Sequence, residues 1–151
     1  MPTTAMWTHG NAASAESPEN VDQIVHIGWG TEFHFKPGKL SWIHIPIPSP
    51  VLIGDQRSKL TVFFVLFNAK DGEVRAVHLF DGPNRVREFN DLAHTGEHAG
   101  SFDAQTIYRL DPPHTVFGGM GISLLFAARI GFEGGAQPLL LISTAGGDFQ
   151  V

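Results

Sequence analysis

Along much of the chain apolar and polar residues alternate one for one, as they do in strands with a single covered face. In Thr31-Glu32-Phe33-His34-Phe35-Lys36, Phe33 and Phe35 fall on one side and Glu32, His34 and Lys36 on the other. Trp42 to Pro48 places Ile43, Ile45 and Ile47 on one face and Trp42, His44, Pro46 and Pro48 on the opposite one. Proline cannot donate to a ladder, so this segment is expected at a sheet edge or at the exit of a strand. Leu60 to Phe67 is apolar on both parities, which predicts a strand covered on both faces by a second layer of the chain or by a neighbouring subunit. Further strands are predicted over Ala5 to Thr8, Glu73 to Phe80, Arg85 to Phe89, Thr106 to Leu110, Gly121 to Ile130 and Leu139 to Ser143, with turn signals at Asp81-Gly82 and Gly134-Gly135. No run keeps helical spacing for three turns, so no long helix is expected. Residues 1–151 read as one all-β domain, a β-sandwich of jelly-roll type with about nine or ten strands.

Composition narrows the partners. A net charge of −5 with ten Lys and Arg offers no basic stripe for phosphate, so neither nucleic acid nor an anionic membrane is an expected partner. Charging all eight His would carry the net charge from −5 to +3, so surface charge is expected to reverse in mild acid. With no Cys, the chain has no thiolate nucleophile, disulfide framework or Cys-based metal site. The opening Met1 to Gly10 lacks the basic and apolar regions of a secretory signal, and no apolar run approaches a membrane span, which together suggest a cytoplasmic protein.

Three stretches stand out as motifs: Trp42-Ile43-His44-Ile45-Pro46-Ile47-Pro48-Ser49-Pro50-Val51, His78-Leu79-Phe80-Asp81-Gly82 and Gly119-Met120-Gly121-Ile122-Ser123. With His9-Gly10-Asn11-Ala12 through Glu16-Ser17-Pro18, and with His26-Ile27-Gly28-Trp29-Gly30-Thr31-Glu32, they cover nearly the whole chain. In these segments the chain resembles a family of small uncharacterised bacterial single-domain proteins. The resemblance implies a single β domain and no particular activity, cofactor or catalytic residue.

Candidate chemistry rests on histidine and aromatic residues. His26, His44 and His78 would form a three-His metal site with an open position if their strands were neighbours, the arrangement that a divalent transition metal needs for catalysis. His94-Thr95-Gly96-Glu97-His98 places two imidazoles and a carboxylate close together, but Gly96 argues against the helix that would align them. His34 shares a face with Glu32 and Lys36 and reads as surface. Ser123 is not in a nucleophile elbow, and Gly118-Gly119-Met120-Gly121 lacks the pattern of a phosphate loop. The carboxylate pairs Asp81 with Glu88 and Asp103 with Asp111 would serve glycoside hydrolysis only if the fold set them face to face. Trp29, Trp42 and Tyr108 offer flat faces for a sugar or another planar ligand, with His44 and His78 as polar neighbours. The leading expectation is a small-ligand or carbohydrate-binding protein that uses Trp29, Trp42, His44, His78 and Tyr108, needs no cofactor, and assembles as a homo-oligomer through a sheet face. The alternatives are a His-based, metal-dependent enzyme and a structural or assembly protein.

Overall fold

The computed structural model describes residues 2–131 and 135–151. Gly134 of the expected Gly134-Gly135 turn lies outside the described residues. The strands are β1 (Thr4–His9), β2 (Ser14–Ala15), β3 (Val21–Ile27), β4 (Gly30–Phe35), β5 (Leu40–Pro46), β6 (Leu52–Ile53), β7 (Gln56–Arg57), β8 (Lys59–Asp81), β9 (Asn84–Phe89), β10 (His94–Glu97), β11 (Ile107–Thr115), β12 (Met120–Ala128) and β13 (Leu139–Gln150). Helix among the described residues is limited to two three-residue 3-10 turns, Gly10–Ala12 and Pro18–Asn20. None of it is long or apolar enough to cross a membrane.

All strands but the short β6–β7 pair belong to one curled antiparallel sheet, ordered β2-β5-β12-β8-β13-β4-β3, with β1 on β13 and with β9, β10 and β11 on β8. The spine is β8. The two strands expected at Leu60 to Phe67 and Glu73 to Phe80 are one continuous strand of 23 residues. Its first half pairs with β13 as far as Lys70, and β12 takes over at Gly72. The change falls at Asp71, whose φ of 51° is a left-handed conformation that Asp tolerates better than most residues. The two halves of the sheet thereby share one core, in which Phe35 of β4 meets Phe126 of β12 at 4.7 Å between ring centroids.

The chain itself covers both faces of Leu60 to Phe67. Phe63 is fully buried, stacked on Tyr108 at 4.9 Å and edge-on to Phe89. On the opposite face, Trp7 of β1 stacks on Phe64 at 5.1 Å and Phe102 meets it edge-on at 5.6 Å.

The expected strands recur, with three corrections. The described residues hold thirteen strands rather than nine or ten. Val21–Ile27, which carries too many polar residues to alternate cleanly, is a strand because β4 pairs with it in a hairpin. The last strand runs on from Ser143 to Gln150, because Gly146 and Gly147 lie where a side chain would strike Trp7 and Leu60.

Two motifs do structural work. His9 Nδ1 accepts the Asn11 amide at 3.1 Å, while its Nε2–H donates to the Gly28 carbonyl at 3.0 Å. The Asn11 side chain donates to the Ile27 carbonyl, and the Thr31 hydroxyl donates to the Gly10 carbonyl at 2.9 Å. This clasp ties the chain's opening to the β3–β4 hairpin. In the second motif, buried Asp81 accepts from His114 Nε2–H at 2.6 Å and from the Phe117 and Gly118 amides at 2.7 and 2.9 Å, so it pins the turn before β12. Burial raises the Asp81 pKa, but the His114 and backbone hydrogen bonds outweigh it and hold the carboxyl below its ordinary value. All its oxygens are engaged, and Asp81 is not a free acid opposite Glu88.

Candidate functional site

In the half of the sheet formed by β2, β5, β12, the end of β8, and β9, one parity of each strand enters the core. Ile43, Ile45, Val77, Leu79, Ile122 and Leu124 are fully buried there. The other parity forms an outer face on which pairing sets a row of residues side by side. Ser14 lies opposite His44, His44 opposite Ser123, Ser123 opposite His78, and His78 opposite Glu88. The next row toward the sheet end is Pro46, Gly121 and Phe80.

Hydrogen bonds fix the rings. His44 Nε2 lies 3.0 Å from Glu16 Oε1, and its Nδ1 lies 2.8 Å from Ser123 Oγ. A carboxylate only accepts, so Nε2 carries the proton; in that neutral tautomer Nδ1 is the acceptor for the Ser123 O–H. His78 Nε2–H donates to Asn90 Oδ1 at 2.8 Å, and Glu88 lies 3.8 Å from the same nitrogen and 3.3 Å from Arg85 Nε. The half-buried Trp42 indole packs against His78 at 4.7 Å between ring centroids. Together these residues line a groove. One end, of about 220 Å³, is bounded by Trp42, His78 and Arg85, and an adjoining end of about 410 Å³ by Pro46, Gly121 and Ile122. Glu16, His44, Phe80 and Ser123 line both.

Of the residues expected in a ligand site, the fold brings together Trp42, His44 and His78. Trp29 is elsewhere. It occupies the β3–β4 turn, 66 % exposed, and neither plugs the core nor reaches the groove. Tyr108 is also excluded, because it is buried against Phe63 with its hydroxyl donated to the Gln105 carbonyl at 3.1 Å. Burial, with the Asp103 charge adding to it, pushes the Tyr108 phenol well above its ordinary pKa.

The three-His cluster does not assemble. His26 is on β3, at the other end of the strand order from β5, and its Nδ1–H donates to Thr31 Oγ1 at 2.9 Å. Among the described residues, no three or more His, Asp or Glu side chains are grouped to hold a metal ion. Sequence reasoning missed Glu16, which is 28 residues from His44 and joins it only because β2 pairs with β5. It set Ser123 aside for lacking a nucleophile elbow, and it had no signal for Arg85 or for the open space over Gly121. The alternation of Trp42 and His44 with core isoleucines was the usable clue.

The His94–His98 segment forms a different device. Gly96 takes φ of 99°, which rules out a helix as expected. His98 Nδ1–H donates to Asp103 Oδ2 at 2.7 Å and Nε2–H donates to the Thr95 carbonyl at 2.8 Å, so both acceptors are met only by the imidazolium. Burial opposes that charge, but the Asp103 hydrogen bond, the Thr95 carbonyl and the Asp103 charge prevail and raise the His98 pKa. Burial opposes the Asp103 charge as well, yet His98 and backbone amides bring its pKa below the ordinary carboxylate value. His94 shifts down, chiefly through burial and then through the His98 charge.

The signs follow. His98 contributes fully below about pH 6.5 and loses its contribution as pH rises through its raised value; Asp103 contributes above about pH 3.8 and loses it as pH falls through its lowered value. The pair is therefore strongest between these limits. Asp103→Asn is expected to lower stability there by about 1 kcal/mol, after screening at the partly exposed carboxylate, or about 3 °C in Tm. The deficit should shrink above neutral pH. Thermal melts of both proteins at pH 5 and pH 9 measure this, and a deficit equal at both would show that the charge pair is not responsible.

The chain is an antiparallel all-β protein with an open groove on one sheet face. The chain belongs to a family of unknown function, DUF6623, whose model matches residues 1–124. No curated protein matches it significantly. Among solved structures it is similar to one described as TmCBM61 in complex with beta-1,4-galactotriose, at 15 % identity and a TM-score of 0.47, covering 93 % of this chain and 86 % of that one.

Proposed function

We propose that this chain binds a small hydroxylated ring, a sugar, in the groove over Ser123. The observation that carries this reading is the half-buried Trp42 indole set beside a polar row. Glu16, His44, Ser123 and His78 are fixed by hydrogen bonds with Arg85 close by, so acceptors and donors surround an aromatic surface. A sugar ring has that same division, with apolar C–H faces and hydroxyl edges, and a preformed concave site with a few oriented polar groups is how small ligands are held. Titration calorimetry against a panel of methyl glycosides and short oligosaccharides tests it. Trp42→Ala is expected to weaken the best binder at least about ten-fold, equivalent to about 1.4 kcal/mol, while leaving the fold intact because the indole is only partly covered. Unchanged affinity in Trp42→Ala would remove the groove as the site.

The hydrogen-bonded order Glu16, His44, Ser123 favours a second reading, in which His44 acts as general base on the serine hydroxyl. It is weaker on one count. Around Ser123, β12 is paired on both edges, so its backbone amides are committed to the ladder and do not form the oxyanion donors that supply most of such catalysis. Covalent labelling of Ser123 by a fluorophosphonate, abolished in His44→Gln, would favour this reading over simple binding.

A further inference from the structure

The two ends of the groove differ in chemistry. The Trp42 end carries Arg85, His78 and the shared Glu16, His44 and Ser123. The other end widens to about 410 Å³ and is mainly apolar, with Pro46 and Phe80 as its walls and Gly121 as its floor. Gly121 lies between Pro46 and Phe80 in register, and a Cβ built on it would meet no atom within 4 Å. The space exists because this position of β12 has no side chain. A second sugar lying there would find polar partners only at the shared wall and would leave most of its hydroxyls unpaired, an unfavourable exchange for water. An apolar group would bury surface without that penalty.

Resting on the sugar reading, we infer that the groove takes a two-part ligand, a hydroxylated ring at the Trp42 end joined to an apolar substituent lying over Gly121, the chemical class of an alkyl or aryl glycoside. Ring and substituent are continuous because Glu16, His44, Phe80 and Ser123 border both ends.

The test is calorimetry on matched pairs of methyl and hexyl glycosides of glucose, galactose, mannose and xylose, below the micellar range. The hexyl member of the binding pair is expected to be about ten-fold tighter or more. Gly121→Leu should fill the apolar end and remove that gain, leaving methyl glycoside affinity within about two-fold of wild type. Phe80→Ala, which takes away a wall instead of filling the space, should reduce the same gain. Equal affinity within the pair, or a hexyl gain that survives both substitutions, overturns this inference while leaving the sugar reading in place. No binding by either member of any pair overturns both.

Discussion

Phe63→Asp is expected to leave the chain unfolded. The ring is fully buried and lies between Tyr108, stacked at 4.9 Å, and Phe89, with centroids 6.0 Å apart. Removing a buried phenylalanine to a small residue costs about 3–5 kcal/mol, and a carboxylate left in its place adds the cost of an unpaired buried polar group. That total approaches the whole stability of a typical domain, about 5–15 kcal/mol. Phe63→Leu, which keeps most of the apolar volume, should fold and melt only a few degrees lower. Circular dichroism with light scattering separates the outcomes. The doubly apolar strand invited the idea that this face joins subunits, in which case Phe63→Asp would give folded, dissociated chains. Recovery of such a folded species from a larger wild-type assembly would show that the ring serves an interface and would overturn the expectation.

A similarly large loss is expected from Gly10→Ala. A Cβ at Gly10 would lie 1.9 Å from the Ile142 carbonyl oxygen, and one at Gly30 only 2.1 Å from the same atom. The obstacle is backbone in the middle of β13, held between β4 and β8, so it cannot swing aside as a side-chain tip would. Gly30 is further constrained by φ of 149°. Relief would require breaking the clasp in which the Thr31 hydroxyl donates to the Gly10 carbonyl. Gly10→Ala is expected to cost at least about 3 kcal/mol, the upper part of the range for overpacking. Gly28→Ala, whose Cβ would meet nothing within 4 Å, should change little and serves as the control. Denaturant midpoints for the two variants check this. Matching midpoints would show that the N-terminal clasp can detach without loss.

These expectations draw on the sequence to different degrees. Phe33, Phe35, Ile43, Ile45 and Ile47 were identifiable as core from alternation alone, because in a strand successive side chains must point to opposite faces. Trp42 and His44 were identifiable as their outward counterparts for the same reason. Period-2 spacing says nothing about which strands become neighbours, so it could not tell that His44 and His78 flank Ser123 while His26 goes to another strand pair. Nor could it show that Leu60 to Phe67 continues through Gly72 as one strand, a continuity set by the switch of partners from β13 to β12. Tyr108 and Trp29 illustrate the same limit from opposite sides. Residue type made both candidate platforms, but pairing with Phe63 buried one and a two-residue turn exposed the other.

The amino-acid sequence by itself determined an all-β chain, the inward and outward faces of its clearest strands, and the absence of thiol chemistry, since these follow from local sterics and composition. Only the tertiary structure decided the groove: Glu16 reaching His44, the open floor at Gly121, and the shared border of its two ends. Each depends on register between strands distant in sequence, which is set by how the whole core packs and not by any local run of residues.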